Sequence, residues 1–267
     1  MDELHVQQHQ PSGVPPLHLT GERTLPDVPA ENYWYRRHLV VYEWIGARVI
    51  GKRVVDMASG EGYGSEVLAR GAATVLGVEA NPEAFEHARL RYRRQNLRFE
   101  RGLVQTHGEH GSVDAVVFLQ TIEHVPEPAG VLRHFAKLLA PGGVVYVSTP
   151  NLETIAPPGA EKSSNPWHIR EYRAHEFDAL CRSVFSRVTL LGLFNARRLR
   201  AHELALRCGW DEVHRRLRLT EAFYDRFTPS ITARDFTLRP YGLTRSLDFL
   251  AVCSEPRARR QGDAAAG

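Results

Sequence analysis

Two constellations in this 267-residue chain have residue types and spacing suited to chemistry. The first runs Asp56-x-Ala58-x-Gly60-Glu61-Gly62-Tyr63-Gly64 and is answered downstream by Glu79-Ala80-Asn81-Pro82. Alternate glycines let a backbone turn sharply and come close to a ligand. A carboxylate at the tip of the next strand can accept hydrogen bonds from a ribose diol. The second constellation is Gln120-Thr121-Ile122-Glu123-His124, with His168 later in the chain. A carboxylate beside an imidazole can take a proton from an attacking hydroxyl. With a second histidine, the same groups could hold Mg²⁺, Mn²⁺ or Zn²⁺.

The elements that must position these groups can be read from periodicity. Val54-Val55 predicts a strand ending at the glycine turn, which opens a helix. Its N-terminal N–H groups suit a negatively polarised ligand group. Thr74 to Val78 is a second strand ending at Glu79, and Pro82 stands near the start of a helix over Ala84 to Arg94. Further strands are predicted at Leu97–Glu100, Val113–Leu119 and Val144–Ser148. The last follows a helix over Gly130–Leu139 and the stop Pro141-Gly142-Gly143. Strands alternating with helices argue a parallel sheet. A helix over Ala174–Cys181, a strand over Val184–Leu191 and a final strand over Ser246–Cys253 complete the pattern. The last two strands are too far apart for a hairpin loop. Between them, helices are expected over Arg197–Leu219 and Glu221–Phe227, then irregular chain. This insertion, about residues 195–245, is expected to cap the substrate cleft.

The first constellation is not the dinucleotide fingerprint G-x-G-x-x-G, because Ser65 stands where its third glycine would be. It resembles motif I of the class I S-adenosylmethionine (AdoMet) methyltransferases, D/E-x-G/A-x-G-x-G, matched by Asp56, Ala58, Gly60 and Gly62. Leu139-x-Pro141-Gly142-Gly143 and Ser148 to Asn151 also resemble that core. The resemblance implies a Rossmann-like α/β fold with a mostly parallel seven-stranded sheet, an antiparallel last strand and a helical cap between strands six and seven. It implies AdoMet as cofactor. The methyltransferase domain would span 50–254. Residues 19–49 would form a lid segment and helix, rich in aromatics (Tyr33, Trp34, Tyr35, Tyr42, Trp44) that ordinary core packing would equally explain. The implied cofactor residues are Asp56, Ala58, Gly60, Glu61, Gly62, Tyr63, Gly64, Glu79, Ala80, Leu103, Val104 and Gln120. Asp56 would organise the glycine loop or meet the cofactor's amino group. Leu103 cannot accept a hydrogen bond from the adenine, so either a backbone carbonyl reads it or the register is off by a residue or two.

The second constellation resembles the E-x-x-E-H motif of quinone O-methyltransferases. A similar motif with a later histidine holds a metal in small-RNA terminal 2′-O-methyltransferases. Carried onto this chain, the metal set would be Gln120, Glu123, His124 and His168, with Gln120 replacing an anionic ligand. Otherwise Glu123 and His124 line the cleft and His168 packs in its loop. In either case Glu123, His124 and His168 are the catalytic candidates, and an O-acceptor suits a histidine base. The stretches LTGERT-x-P, ENYW-x-RRH, QTIEH, NP-x-H-x-RE and GLFNARRLR resemble an actinobacterial group associated with methylated-glucose lipopolysaccharide synthesis. That implies a sugar hydroxyl on an oligosaccharide or polysaccharide. A quinone-like or other small-molecule acceptor is the alternative, and RNA 2′-hydroxyls stay open. The N/D-P-P-Y/F signature is absent, so DNA is not an expected partner.

Composition sets the remaining bounds. The chain is 43% apolar and 24% charged with net charge +3, which points to no strong polyanion partner. Cys181, Cys208 and Cys253 are scattered and form no metal or disulfide pattern. No run is long and apolar enough to span a membrane, and the polar N-terminus lacks a leader pattern, so the cytoplasm is the expected location. Residues 1–18 and 255–267 are expected to be disordered tails. The arginines at 197, 198, 200, 207, 215, 216 and 218 read as a solvated face, with an anionic acceptor as the functional alternative. No signal for an oligomeric state is present.

Overall fold

In a computed structural model, residues 6–19, 23–216 and 220–257 are described. Among them, the strands are β1 (Arg53–Met57), β2 (Thr74–Glu79), β3 (Leu97–Arg101), β4 (Val113–Leu119), β5 (Leu139–Pro150), β6 (Phe185–Asn195), β7 (Phe236–Arg239) and β8 (Asp248–Pro256). They form one sheet in the order β3-β2-β1-β4-β5-β8-β6-β7. Strands β1 to β5 pair in parallel, and β8 runs antiparallel between β5 and β6. The parallel register brings the ends of β1, β2 and β4 to one edge, where the strand order reverses between β1 and β4. Ligands bind in that crevice in open α/β sheets.

The helices are α1 (Asn32–Gly46), α2 (Tyr63–Ala69), α3 (Pro82–Arg91), α4 (Pro128–Leu138), α5 (Leu152–Ile155), α6 (Ala174–Arg182), α7 (Arg197–Arg207), α8 (Trp210–Arg216) and α9 (Thr220–Phe227). Successive strand residues feed opposite faces of the sheet. Val55, Val116, Phe118 and Val147 pack with Val131, Leu132, Phe135 and Leu138, the apolar stripe of α4. Val54, Ala115 and Val117 pack on the other face with Leu39, Tyr42 and Ile45 of α1 and Leu68 of α2. No helix among the described residues is long and apolar enough to cross a membrane.

Three expectations need correction. The sheet has eight strands, not seven, because β7 lies in chain read as irregular. Its four residues pair with Gly192–Asn195 of β6, so its strand character comes from a distant partner rather than its own pattern. The helix expected over Arg197–Leu219 divides into α7 and α8 at Gly209, whose φ is +85°; Leu217 to Leu219 lie outside the described residues. Finally, residues 6–18 are not a disordered tail. Gln7 is buried and donates to Glu61, and the Pro15 carbonyl meets His87 of α3. This stretch is held by polar bonds, which a composition test for apolar content does not register. Of the two expected tails, residues 1–5 and 258–267 lie outside the described residues, while Glu255 and Pro256 belong to β8.

The insertion packs against α1. Asn32 donates through its side-chain amide to the carbonyls of Thr228, Pro229 and Ile231. The Tyr33 and Phe236 rings lie 5.5 Å apart. Next to this contact, Arg37 of α1 makes a two-pronged ion pair with Asp248, at 2.6 Å through Nε and 2.5 Å through Nη2, both side chains being almost wholly buried. Removing one partner of such a pair strands a buried charge and costs about 3–5 kcal/mol. Arg37→Met is therefore expected to lose about that much unfolding free energy in urea melts. Arg37→Met with Asp248→Leu should recover most of it. A single variant within about 1 kcal/mol of wild type would contradict this role.

Candidate active site

The turn after β1 is built on left-handed backbone. Ala58, Gly60 and Gly62 have φ of +58°, +56° and +99°. A Cβ on Gly60 would meet nothing within 4 Å, so this glycine leaves open space where the backbone borders a cavity. A Cβ on Gly64 would come within 2.1 Å of the Tyr42 ring, so α2 can approach α1 only with glycine there. Glu79 closes the loop: Oε2 accepts from the Gly60 N–H and Oε1 from the Asn81 N–H, each at 2.8 Å. Asn81 also caps α3 by accepting from the N–H groups of Glu83 and Ala84.

Asp56 is fully buried and accepts from Ser65 Oγ at 2.6 Å and Tyr42 Oη at 3.2 Å. It does not line the cavity, so of its two expected roles the structure fits the organisation of the loop. Burial pushes its carboxyl up to about 7, against the pull of the Ser65 and Tyr42 hydrogen bonds. The Glu61 carboxylate turns away from the cavity into a buried cluster with Gln7, His87 and Tyr92.

The cavity over this turn holds about 450 Å³. Ala58, Gly60, Glu61, Tyr63, Glu79 and Gln120 of the expected set line it. Gly62, Gly64, Ala80, Leu103 and Val104 do not. Leu103 is exposed and its carbonyl accepts from Thr106 and His107, while Val104 packs against the α4-side core. The loop after β3 thus folds onto its own backbone and keeps both residues off the cavity. Ser59 Oγ, by contrast, borders the cavity, buried and without a partner. That orphan hydroxyl, the open face of Gly60 and the Glu79 carboxylate suit a polar, hydroxyl-bearing ligand.

At the end of β4, Gln120 adopts φ of +51°, and its backbone and side-chain amides both donate to Ser148 Oγ. The turn Ile122–His124 follows. Glu123 is buried; its carboxylate accepts from Thr149, and its backbone carbonyl accepts from the N–H groups of Ile169 and Arg170. This ties the 163–171 loop to β4 and brings His168 to His124, ring centroids 5.0 Å apart. Burial pushes the Glu123 carboxyl up to about 8. His124 Nδ1 lies 2.9 Å from the Trp167 carbonyl, which only accepts, so Nδ1 carries a proton and, in the neutral ring, Nε2 keeps the lone pair, 4.0 Å from the Glu123 carboxyl. His168 Nδ1 donates to Glu171 at 2.5 Å, and Nε2 accepts from the Asn165 amide at 3.0 Å. Ligand atoms of Glu123, His124 and His168 lie within 4.8 Å of one another. Two imidazoles and a carboxylate are a suitable donor set for a divalent ion, and Glu171 is the orienting partner such a histidine needs.

A second cavity, of about 500 Å³, contains His168 and Glu123 in its wall. It shares Arg23, Thr24, His38, Gln120 and His124 with the first. Sequence reading singled out neither Arg23, Thr24 nor His38; their signal was only the resemblance of the stretches that contain them. His38 Nδ1 bonds the Thr24 hydroxyl, and burial holds this imidazole down at about 4. Of the expected cap, none of the described residues lines either of these two cavities. Its hydrogen bonds and ring contacts draw it to α1 and the sheet edge instead.

A sheet of this order with a glycine turn and an acid at the crevice defines a nucleoside-cofactor enzyme of Rossmann-like type. The family model described as "Methyltransferase domain" matches residues 36–204. A "Probable S-adenosylmethionine-dependent methyltransferase" of Mycobacterium tuberculosis is 34% identical over 94% of this chain and 98% of its own length. A Mycolicibacterium smegmatis relative of the same description is 35% identical over 92% and 97%. The ubiquinone biosynthesis O-methyltransferase of Aeromonas salmonicida is 36% identical over 41% of this chain and 49% of its own. Among solved structures, an S-adenosylmethionine-dependent methyltransferase of Thermotoga maritima shares the fold with a TM-score of 0.57, 16% identity and coverage of 85% and 94%. The chain belongs to the class I S-adenosylmethionine-dependent methyltransferases.

The raised Asp56 carboxyl has a measurable consequence. An unfolded Asp titrates near 3.9, so the folded chain holds a proton that the unfolded chain releases. This contribution to stability is fully present below about pH 4 and is lost as pH rises through about 7. Asp56→Asn should flatten the fall in unfolding free energy across that window in urea melts. An unchanged slope would mean that Asp56 titrates normally.

Proposed function

We propose that this methyltransferase moves the AdoMet methyl to a hydroxyl oxygen on a sugar or oligosaccharide. The observation that carries this reading is the fixed tautomer of His124, which lines both cavities and presents Nε2 as a base. An alcohol attacks poorly with its proton in place, and a positioned base removes it in the transition state. AdoMet supplies an already activated methyl: the carbon–sulfur bond breaks as the carbon–oxygen bond forms, and the proton passes to His124. The protein's own task is alignment, worth about 7–11 kcal/mol in well-oriented reactions. Glu79 holds the ribose hydroxyls, and the Ser59–Gly60 turn faces the methionyl part.

The second cavity supports a sugar acceptor. It sets the exposed ring of Trp34 among Glu31, Ser163, Ser164 and Asn165, an apolar platform ringed by hydrogen-bonding groups. Acceptor choice then rests with the N-terminal segment and the loop before His168 rather than the insertion. A phenolic acceptor is the alternative, favoured by the partial likeness to ubiquinone biosynthesis O-methyltransferases. Clustering of Glu123, His124 and His168 favours a second route, in which these residues would hold a divalent ion that would supply Lewis-acid lowering of the acceptor's pKa.

Labelled AdoMet should methylate oligosaccharides in a screen that also includes quinols and RNA. His124→Ala should lower the rate by about 10²–10⁴-fold while sparing AdoMet affinity. Transfer only to quinols or RNA would overturn the sugar reading, and an undiminished His124→Ala rate would remove the base. A chelator separates the two routes: it stops transfer if the cluster holds an ion and leaves the rate unchanged if His124 acts alone.

A further inference from the structure

Arg23 is a cation on the shared wall of the two cavities. It is half-buried, yet it makes no hydrogen bond or ion pair among the described residues. The carboxylates that line the same two cavities are engaged elsewhere. Glu79 accepts from Gly60 and Asn81, Glu61 is enclosed by Gln7, His87, Tyr92 and Arg91, Glu123 accepts from Thr149, and Glu31 has a partner other than Arg23. A partly buried guanidinium with no protein partner calls for an anion from a ligand.

Arg23 is also held in place. Two positions on, Leu25 is fully buried, and Val28 after it nearly so. Asp27 between them pairs with Arg91 of α3 at 2.5 Å. Its neighbour Thr24 bonds both His38 and Tyr63, which line the same cavity. The guanidinium therefore stands on backbone anchored from Thr24 onward, so the ordering entropy lost when it grips a ligand is mainly that of its own side chain.

We infer that Arg23 binds the carboxylate of the AdoMet methionyl group, from the N-terminal segment that covers the cofactor cavity. Of the charged groups on AdoMet, the sulfonium and the ammonium repel an arginine, and the carboxylate alone attracts it. A guanidinium suits a carboxylate because its planar N–H fork matches the two oxygens. Glu79 and the β2 tip serve the hydroxyl-bearing part of the cofactor, so the anionic tail is left to the N-terminal wall. Holding that tail fixes the sulfonium, and with it the methyl, toward the wall shared with the second cavity. This inference rests on AdoMet as cofactor and is independent of which acceptor is used.

The test is calorimetry of the full chain with AdoMet and with its decarboxylated analogue, which keeps the sulfonium and ammonium but lacks the carboxylate. Wild-type protein should bind AdoMet about 10- to 100-fold more tightly than the analogue, the scale of a charge-assisted hydrogen bond. Arg23→Gln should weaken AdoMet by a similar factor, leave the analogue within about 3-fold, and so erase the discrimination. Arg23→Lys should restore part of it. Matching thermal melts without ligand show that the variants fold. If Arg23→Gln keeps the wild-type discrimination, the inference fails. It fails also if that variant raises only the KM for the acceptor, which would assign Arg23 to the acceptor instead. Wild-type protein that binds neither ligand overturns the cofactor reading along with it.

Discussion

A buried carboxylate must be paired, and Glu61 is where that requirement shapes the molecule. It sits inside the glycine turn at about 1% exposure. Its oxygens are met by Gln7 from the N-terminal segment and by His87 and Tyr92 from and just after α3, with Arg91 at 3.3 Å. One side chain thus binds the turn after β1, the helix after β2 and the start of the chain to one another. The contact of the Pro15 carbonyl with His87 of α3 holds the same N-terminal stretch to this edge of the sheet. Beyond it, burial of Leu25 and Val28 and the Asp27–Arg91 pair hold Arg23 and Thr24 at the wall of both cavities.

Two further ties complete the crevice. Glu79 accepts from the Gly60 and Asn81 N–H groups and so fixes the tip of β2 against the turn after β1. Glu123 offers its backbone carbonyl to Ile169 and Arg170, which sets the later loop against the end of β4. Left-handed backbone at Ala58 and Gln120, neither of them glycine, falls at these same two strand ends. Such conformations persist only where the surroundings over-determine them, and they cluster at functional sites. Opposed histidines and two cavities with a common wall are the product.

The insertion serves the frame rather than the cleft. It extends the sheet by β7, covers the outer side of α1 through Asn32 and Tyr33, and flanks the Arg37–Asp248 pair. Because α1 also packs Tyr42 against Gly64 and bonds Asp56, this support reaches the glycine turn through one rigid helix.

Local pattern determined much of this protein. The strand–turn–helix around Asp56 and Gly60, the acid at Glu79 and the strand ending before Gln120 were legible because each is encoded within a few residues by period, glycine and capping. That the first five strands run parallel followed from their alternation with helices, whereas their order is a feature of the tertiary structure. The pairing of Glu123-His124 with His168 could be expected from strand ends that share an edge. What only the tertiary structure decided are contacts whose partners lie far apart in sequence: β7 on β6, Gln7 on Glu61, the insertion on α1, and Arg23 on the wall of two cavities. A polar residue's sequence neighbours do not reveal which distant donor or acceptor will satisfy it, and burial above all raises the carboxyls of Asp56 and Glu123 out of the ordinary carboxylate range. Those outcomes depend on which groups the completed fold excludes from water, and no local pattern carries that information.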